Sequence, residues 1–557
     1  MRGPLLPVLL LVVVPGLLFA WRLGWLRDRR SRWAAGAIAV AAVVWSLPSA
    51  GVDFVYLKRF NLFLAAAAAA LALVRDPRLP YPLSPRTHLA ALAGLAAACL
   101  VVYLNFFSFH GERTFVHLHD VAHYYLGSKY FDELGYEGLY TAMLRAEAEA
   151  YQDRFTTLEA RDLATNELVH IRALLVRSDE VKSAFTPERW EDFKQDVALF
   201  REWLGPQYKS LFVDHGFNPT PLWPVLGGAL ANLVPAGSRT GVRLLALIDP
   251  VLLLAAFAAV RWAFGWTAAL FGLIHFCLIF GASFGWTGGA FLRYLWFASL
   301  LAASCCLRKE RHALAGALTA VAATLRVFPA LFALPIAVKA LHGLWRERRV
   351  APSHRRFLAA AALTGAGLFL AGGLQERGLG AWAEFRANLQ KHMDTISPNI
   401  VGLTNALAYR STPEKLTLEE LRESRDRRVI VNRIQVGTLF VAALVAVALL
   451  VPRMDDVSAT LLAIPLLLTG LNLASYYYVV LVLLAVANWD RPRRLAALFG
   501  LELASHALLL FEDRENVIFI YRSVLLLYLL AAFYLPALAA RVRDVRGQGP
   551  LAARQTA

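Results

Sequence analysis

Blocks of apolar residues with almost no charge recur along the chain and limit what it can fold into. Examples are Ala34 to Trp45, Ala90 to Phe107, Val242 to Val260, Val436 to Val451 and Ile518 to Tyr534. The longest blocks approach the ~20 residues that a helix needs to cross a bilayer. Hydrophobic residues make up 58% of the sequence and the mean hydropathy is +0.49. The sequence therefore predicts an all-α polytopic membrane protein with a large helical external loop.

The basic residues lie in short loops between these blocks. The net charge of +16 would suggest a nucleic-acid partner in a soluble protein. The groups are Arg22 to Arg32, Arg308 to Arg311, Arg346 to Arg356, Arg491 to Arg494 and Arg541 to Arg546. Short basic loops of this kind are typical of the cytoplasmic side of a membrane. We therefore interpret the charge as a topology signal and expect no nucleic-acid partner.

Five segments follow from this alternation of apolar blocks and basic loops. We place N-terminal transmembrane helices at 1–107, a first external loop at 108–218, central transmembrane helices at 219–374, a second external loop at 375–430, and C-terminal transmembrane helices with a cytoplasmic tail at 431–557. Four spans precede the first loop. Between Pro219 and Leu307 there are four apolar blocks where the charge pattern requires an odd number of crossings. One block, such as Pro221 to Val234, is therefore expected to be re-entrant or interfacial.

Two hairpin tips are expected at the external boundary of the membrane. "TLRVFPAL" places Arg326 at the tip of the short hairpin 312–338, and "GLNLASYYYV" places Tyr477 at the tip of a second hairpin, Ser458 to Ala487. An ionisable residue at membrane depth is costly and usually faces an internal cavity. We therefore expect both tips to border the same space as the two external loops.

The first external loop opens with a dense run of histidines, tyrosines and carboxylates, "ERTFVHLHDVAHYYLGSKYFDELGYEGLYTA". A helix over Val116 to Phe131 would place Asp120 and Tyr124 on one face, with His119 and His123 on the neighbouring face. In one interpretation the two histidines bind a metal together with Asp120 or a distant carboxylate. No second metal-binding motif supports this interpretation, and we assign no metal ligand.

Two other interpretations of the same run remain. Histidines and tyrosines are normal at the water–lipid boundary, and this explains Tyr125 better than it explains Asp120. Alternatively, Asp120 is a general base whose pKa is moved toward the working range by partial desolvation.

A helical insertion occupies the later part of this loop. In "FTPERWEDFKQDVALFREWLG", Thr186 is expected to cap a helix that has Pro187 at its first position. Apolar residues at three- and four-residue steps predict one buried face, which packs on the loop or lies at the bilayer surface. These residues are Trp190, Phe193, Val197, Phe200 and Leu204.

The stretch "DVAHYYLGSKYFDELGYEGLY" resembles the first external loop of GT-C-type membrane glycosyltransferases. The most similar branch is glycosyltransferase family 87, the polyprenyl-phosphate-mannose-dependent mannosyltransferases. Later pieces that are similar to that family follow in the same order: "NPTPLWPVLGGAL", "GALTAVAATLRVFPALFALPI", "SPNIVGLTNALAYR" and "GLNLASYYYVVLVLLA". The chain departs from the family by a long insertion between Tyr140 and Asn218, by Arg326 where lysine is commoner, and by tyrosines at the last tip.

The resemblance implies a GT-C-like transmembrane helical bundle and an inverting hexosyltransferase. It implies transfer of a sugar, most of all a mannose-like hexose, from a polyprenyl-phosphate donor to a hydroxyl acceptor on the external face. Asp120 would be the base, and Arg326 would hold the donor phosphate unless it is paired with a buried carboxylate or caps backbone carbonyl groups. Asp214 is a second acid–base candidate. The further candidates for substrate binding are Tyr124, Tyr125, His392, Asn399 and Tyr477.

Partners and location follow from the same interpretation. The acceptor is a glycolipid, a polysaccharide or a protein, and membrane lipids surround a multi-pass protein of the inner, cytoplasmic membrane whose site faces the periplasm or exterior. No Gly-rich nucleotide cradle precedes a helix, so no nucleotide-sugar donor and no cofactor is expected. The alternatives are a transporter or flippase for lipid-linked substrates, an O-antigen polymerase or ligase, and an assembly factor that binds a partner through the helical insertion.

Overall fold

Long apolar helices dominate the computed structural model, which describes residues 54–78, 83–110, 114–151, 155–393, 399–408 and 418–547. Two of the four spans predicted before the first loop fall within residues 1–53, outside the described residues. Among the described helices, those long and apolar enough to cross a membrane are Pro85–Tyr103, Arg239–Phe264, Phe328–Glu347, Val431–Arg453 and Glu515–Asp544. The prediction of a helical protein is confirmed, and these helices have the length and composition of membrane-spanning segments.

The membrane part is built from helices of unequal length. They are Phe54–Leu73, Pro85–Tyr103, Leu222–Ala231, Arg239–Ala246, Ile248–Phe264, Trp266–Leu278, Phe284–Thr287, Leu295–Arg308, His312–Leu325, Leu334–Glu347, Pro352–Ala371, Leu403–Ala408, Leu418–Leu450, Asp456–Thr460, Ala463–Gly470, Leu481–Ala487, Pro492–Leu508 and Glu515–Gly547. At ~1.5 Å per residue, the helix Leu222–Ala231 is roughly 15 Å long, about half the ~30 Å hydrocarbon thickness. A helix of this length fits the re-entrant or interfacial block expected there.

The helix that enters the C-terminal part of the chain runs without a break from Leu418 to Leu450. It crosses the boundary placed at residue 430, and its candidate membrane span begins at Val431. The second predicted loop therefore ends within the same helix as this candidate membrane span. The helix Gly380–Met393 occupies the early part of the same loop.

The two ends of the helical bundle carry different clusters of charged residues. At one end, Asp456 is ion-paired with Lys339 at 2.6 Å and with His312 at 3.1 Å. At the other end of the hairpin that starts at His312, the Arg326 guanidinium lies 5.7 Å from the centroid of the Tyr477 ring. The two predicted hairpin tips therefore meet at the end of the bundle opposite to the basic loops.

The first loop, which the sequence predicts to be external, folds into a small helical domain. Its helices are Leu118–Lys129, Phe131–Leu134, Leu139–Tyr151, Ile171–Leu175, Ser178–Ser183 and Pro187–Leu204, followed by a 3-10 helix at Gly205–Val213. The Thr186 side chain accepts a hydrogen bond from the Arg189 N–H, and Pro187 is the first helical residue. The predicted face of the last α-helix is buried along its whole length, so cap and face are both confirmed.

Two short antiparallel strand pairs depart from the all-α prediction. Glu159–Asp162 pairs with Glu167–His170, and Ile400–Val401 pairs with Leu473–Ala474. The second pair joins the second external loop to the tip of the last hairpin. Strands this short carry no usable period in the sequence.

A buried ion pair holds the loop domain together. Asp196 accepts hydrogen bonds from Lys129 Nζ at 2.9 Å, from the Tyr130 hydroxyl at 2.8 Å and from the Gly237 N–H at 2.8 Å. The Tyr125 hydroxyl donates at 3.3 Å to the carboxylate oxygen that also accepts from Gly237, whereas Lys129 and Tyr130 donate to the other oxygen. A buried charge is tolerated when it is paired and hydrogen-bonded in this way. The helix Leu118–Lys129 is thereby fixed to the rest of the domain.

Candidate functional site

The run of polar and aromatic residues that opens the first loop forms the helix Leu118–Lys129, which we call the motif helix. It agrees within two residues at each end with the helix predicted over Val116 to Phe131. His117 caps it, because its Nδ1 accepts a hydrogen bond from the Asp120 N–H at 3.2 Å. The His117 N–H in turn donates to the Gly289 carbonyl oxygen at 2.9 Å. The start of the motif helix is therefore anchored to the membrane part of the chain.

Residues from several separate parts of the chain meet around Asp120 and form a closed cycle of contacts, which we call the site ring. Asp120 is hydrogen-bonded and ion-paired to Arg293, and the side chains of both are only 14% exposed. Tyr124 lies one helical turn after Asp120. The members of the site ring are Asp120, Arg293, Tyr476, Tyr477, Arg326 and Tyr124.

Aromatic contacts close the site ring. The Arg293 guanidinium lies 4.5 Å from the centroid of the Tyr476 ring, and the Tyr476 and Tyr477 rings are 4.7 Å apart. Arg326 lies 5.7 Å from the Tyr477 ring and donates a hydrogen bond to the Tyr124 hydroxyl at 3.1 Å. Each guanidinium therefore rests against aromatic rings, which stabilise a cation without neutralising it.

The carboxyl group of Asp120 has a lowered pKa, opposite in direction to the sequence-based expectation. Burial does act to raise this pKa, as expected from desolvation. The positive charge of Arg293 and the neighbouring His117 outweigh it, so the net shift is downward. The predicted direction of the pKa shift was wrong because it considered only desolvation at the membrane boundary. It did not consider Arg293, which is distant in the sequence and adjacent in the fold. Asp120 is therefore ionised at neutral pH in the unliganded site.

Arg293 is the site residue that the sequence-based assignment missed. It lies in "GGAFLRYLWF", and no other Asp, Glu, Lys or Arg occurs between Trp262 and Leu307. A single charge inside such an apolar stretch is itself a signal of function. Two backbone N–H groups, those of Arg293 and Tyr294, donate to the buried Asp249 carboxylate at 3.0 and 3.1 Å. This anchor sets the position from which the guanidinium reaches Asp120.

Arg326 has no carboxylate partner among the described residues. Within the part of the chain that the structure describes, the alternative role of Arg326, an ion pair with a buried carboxylate, is therefore not supported. Its hydrogen-bond partner Tyr124 donates in turn to Asn218 Oδ1 at 3.4 Å. The Trp223 ring packs against Tyr124 at 5.0 Å. Arg326 thus presents a positive charge to the site ring while its surroundings hold it in place.

The remaining predicted site residues lie in three places. Tyr125 is fully buried in the loop domain beside Asp196, away from the site ring, because it faces the opposite side of the motif helix. The backbone carbonyl of Asn399 accepts a hydrogen bond from the Ser475 N–H at 2.8 Å, next to Tyr476. Asp214 and His392 belong to a second group.

We call this second group the histidine patch; its members are His119, His123, Asp214, His215 and His392. His119 Nδ1 lies 3.6 Å from an Asp214 carboxylate oxygen, and the rings of His215 and His392 are 5.7 Å apart. Burial, reinforced by His215 and Lys391, lowers the pKa of His392 to about 4. Burial and the adjacent His123 likewise lower the pKa of His119. Both rings are therefore neutral at pH 7.

No family model matches the chain, and neither a curated protein nor a solved structure matches it. The resemblance to GT-C-type glycosyltransferases therefore rests on the sequence motifs alone. The site geometry has to be interpreted from its own chemistry.

Gly289, which anchors the motif helix, is a position that tolerates no side chain. Its φ is +69°, and a Cβ placed there would lie 1.8 Å from the Phe115 carbonyl oxygen. We expect Gly289→Ala to lower the free energy of unfolding by about 2 kcal/mol or more, since the left-handed backbone alone costs ~1–2 kcal/mol. Thermal unfolding in detergent measures this loss. Gly285→Ala is the matched control, because a Cβ at Gly285 meets nothing within 4 Å; equal stability of the two variants would contradict the prediction.

Proposed function

We propose that the protein is a membrane glycosyltransferase of the GT-C type, most like family 87. It would move a sugar, a mannose-like hexose first of all, from a polyprenyl-phosphate donor to a hydroxyl acceptor outside the cytoplasmic membrane. The observation that carries the proposal is the site ring. One carboxylate and two guanidinium groups are held together by aromatic side chains at the end of the bundle opposite to the basic loops.

The charge of the site ring suits a lipid-linked phosphodiester. Arg293 and Arg326 bring two positive charges and Asp120 brings one negative charge, which leaves a net charge of +1. A polyprenyl-phosphate sugar carries one negative charge on its phosphodiester. Guanidinium groups bind phosphate oxygens through paired N–H donors, and a location at the ends of the helices leaves the lipid tail within the bilayer.

The pairing of Asp120 with Arg293 suggests how the base is activated. A donor phosphate that takes hydrogen bonds from Arg293 draws this guanidinium away from Asp120. The Asp120 carboxylate then loses its strongest stabilising charge, so its pKa rises and it becomes a better proton acceptor. Binding of the donor and activation of the base are thereby coupled through one side chain.

The transfer step itself is a single displacement. Asp120 takes the proton of the acceptor hydroxyl while that oxygen forms a bond to the anomeric carbon of the sugar. The bond from the anomeric carbon to the phosphate oxygen breaks, and the polyprenyl phosphate leaves with its electron pair toward Arg293 and Arg326. Attack from the face opposite to the phosphate inverts the anomeric centre. The Tyr476 and Tyr477 rings supply flat apolar surface for the sugar.

A transporter or flippase for the same lipids is supported less well. Transporters bind their substrates near the middle of the membrane, whereas the site ring lies at the ends of the helices. A polymerase or ligase of the O-antigen type shares the donor chemistry and differs in its product. Analysis of the transferred sugar and its acceptor therefore separates that alternative from the proposal.

Sugar transfer in proteoliposomes tests the proposed function. The purified full-length protein receives radiolabelled polyprenyl-phosphate mannose or glucose together with a membrane extract as acceptor source. Labelled lipid, polysaccharide or protein that forms only with the protein present supports the proposal, and anomeric analysis of the product checks inversion. A fluorescent donor lipid in the same vesicles reports flipping. Flipping without transfer would overturn the proposal in favour of the transporter.

Replacement of Arg326 tests its role toward the donor phosphate. A hydrogen bond to a charged group contributes about 1.5–3 kcal/mol, so we expect Arg326→Gln to raise the KM for the donor roughly ten- to a hundred-fold. The KM for the acceptor should change little. The matched control is Arg356→Gln, an exposed arginine near the start of the helix Pro352–Ala371 at the other end of the bundle. A donor KM equal to that of the wild type in Arg326→Gln would remove this residue from donor binding.

A further inference from the structure

A cluster of three potential metal ligands lies beside the site ring, on the neighbouring face of the motif helix. It consists of His119, His123 and Asp214, each of which offers one ligand atom within 4.8 Å of the others. His119 Nδ1 and Asp214 Oδ2 are 3.6 Å apart. The two histidines are one helical turn apart, and Asp214 directly follows the 3-10 helix Gly205–Val213.

Backbone carbonyl groups set which nitrogen of each histidine is free to bind a metal. His123 Nδ1 lies 2.7 Å from the His119 carbonyl oxygen, and the tautomer that donates its proton there leaves the lone pair on Nε2 for a metal. His119 Nε2 lies 3.3 Å from the Ser210 carbonyl oxygen, so its lone pair is on Nδ1, the atom nearest to Asp214. Histidines that bind metals are held by such second hydrogen bonds in most metal sites.

We propose that His119, His123 and Asp214 bind a zinc ion with one open coordination position. Two imidazoles and a carboxylate form a ligand set typical of zinc sites that keep a position for water or an exogenous ligand. Zinc–nitrogen bonds of ~2.0–2.1 Å in a tetrahedron space the ligand atoms roughly 3.4 Å apart, so the His119–Asp214 pair is already close to its required distance.

His123 needs the larger adjustment to reach the ion. Its Nε2 is now 2.8 Å from the Tyr140 hydroxyl and 3.3 Å from the Leu211 carbonyl oxygen. The Tyr140 hydroxyl also accepts a hydrogen bond from the Gly216 N–H at 3.1 Å, so it keeps one partner when the metal takes its place on His123. The side chains of His119 and Asp214 are 32% and 44% exposed, which gives an ion a path from outside.

The proposed ion would act as a clamp between the motif helix and the end of the helical insertion. His119 is the neighbour of Asp120 in the chain, so a fixed His119 restricts how the start of the motif helix can move. In this proposal Asp214, which the sequence suggests as an acid–base group, is a zinc ligand. The proposal does not depend on sugar transfer, because the clamp would hold these two segments together whatever reaction the site ring performs.

Metal analysis of the purified full-length protein in detergent tests the proposal. The protein is stripped with EDTA, incubated with Zn²⁺ and dialysed, and we expect one bound zinc per chain by elemental analysis. His119→Gln and Asp214→Asn each remove one ligand, and we expect each to weaken zinc binding by at least about 100-fold. The control is His342→Gln, whose histidine lies in the helix Leu334–Glu347 among the basic loops, and it should bind zinc like the wild type.

Cobalt gives a readout that does not depend on any variant. Co²⁺ bound to the stripped wild type should show the intense visible absorption of a four-coordinate nitrogen and oxygen site, and Zn²⁺ should displace it. A weak, six-coordinate spectrum, or zinc binding equal in His119→Gln, Asp214→Asn and the wild type, would overturn the proposal. Absence of sugar transfer with intact zinc binding would contradict only the proposed function.

Discussion

Asp120→Asn is expected to reduce sugar transfer by about 1,000-fold in a protein that folds normally. Asparagine has nearly the shape of aspartate, and its carbonyl oxygen can still accept a hydrogen bond from Arg293. It cannot take a proton from the acceptor hydroxyl at neutral pH. A positioned general base contributes typically 10²–10⁴-fold to a rate, so we expect the initial rate of transfer to fall by about 1,000-fold.

The measurement is radiolabelled transfer in proteoliposomes, with thermal unfolding of each variant as the test of folding. Asp179→Asn is the matched control, because its carboxylate also pairs with an arginine, Arg145 at 3.0 Å, but is 78% exposed in the loop domain. We expect this variant to transfer sugar at the wild-type rate. An Asp120→Asn variant that transfers sugar as fast as its control would show that the Asp120–Arg293 pair is structural only.

The separate elements of this fold were predictable from the sequence because local rules control them. The motif helix was placed within two residues, and the cap at Thr186 was placed correctly, since both depend on residues a few positions apart. The apolar blocks likewise indicated membrane-spanning helices by length and composition alone. The two short strand pairs were missed because each strand is too short to show alternation.

The site ring was only partly predictable because it joins residues far apart in the chain. Asp120, Tyr124, Arg326 and Tyr477 were selected one by one, and the structure brings them together. Arg293 was missed, although its isolation in an apolar stretch was a usable signal. Without this arginine the direction of the pKa shift of Asp120 was also predicted wrongly. Pairings between distant segments decide the electrostatics of the site, and no local pattern encodes them.

The histidine patch was also only partly predictable from the sequence. In one interpretation the spacing of His119 and His123 is that of a metal-ligand pair, completed by Asp120 or by a distant carboxylate, but we assigned no metal ligand from the sequence. The sequence did not identify which carboxylate lies there. Asp214 reaches the pair because the helical insertion folds back on the motif helix, a consequence of tertiary packing in the loop domain.

The largest effect on stability is expected from Glu502, which lies in a fully buried ion pair within the helical bundle. Both carboxylate oxygens accept hydrogen bonds from Arg522 at 2.9 Å, and the Phe280 N–H donates to one of them at 2.9 Å. Arg522 also donates to the Ser505 hydroxyl at 2.7 Å. Neither charged side chain has any exposed surface. The pair therefore connects the helices Pro492–Leu508 and Glu515–Gly547 through a network without water access.

We expect Glu502→Gln to lower the free energy of unfolding by about 3–5 kcal/mol, because it leaves the Arg522 charge buried without a counter-charge. Unfolding by increasing SDS in mixed micelles measures this loss. The double variant Glu502→Gln/Arg522→Met removes both charges and should recover most of it, whereas a purely steric effect of glutamine would persist. The control is Glu347→Gln, whose carboxylate pairs with Arg349 but is 62% exposed; we expect a change of no more than ~1 kcal/mol there. Equal small changes in Glu502→Gln and Glu347→Gln would show that the buried pair contributes nothing to stability.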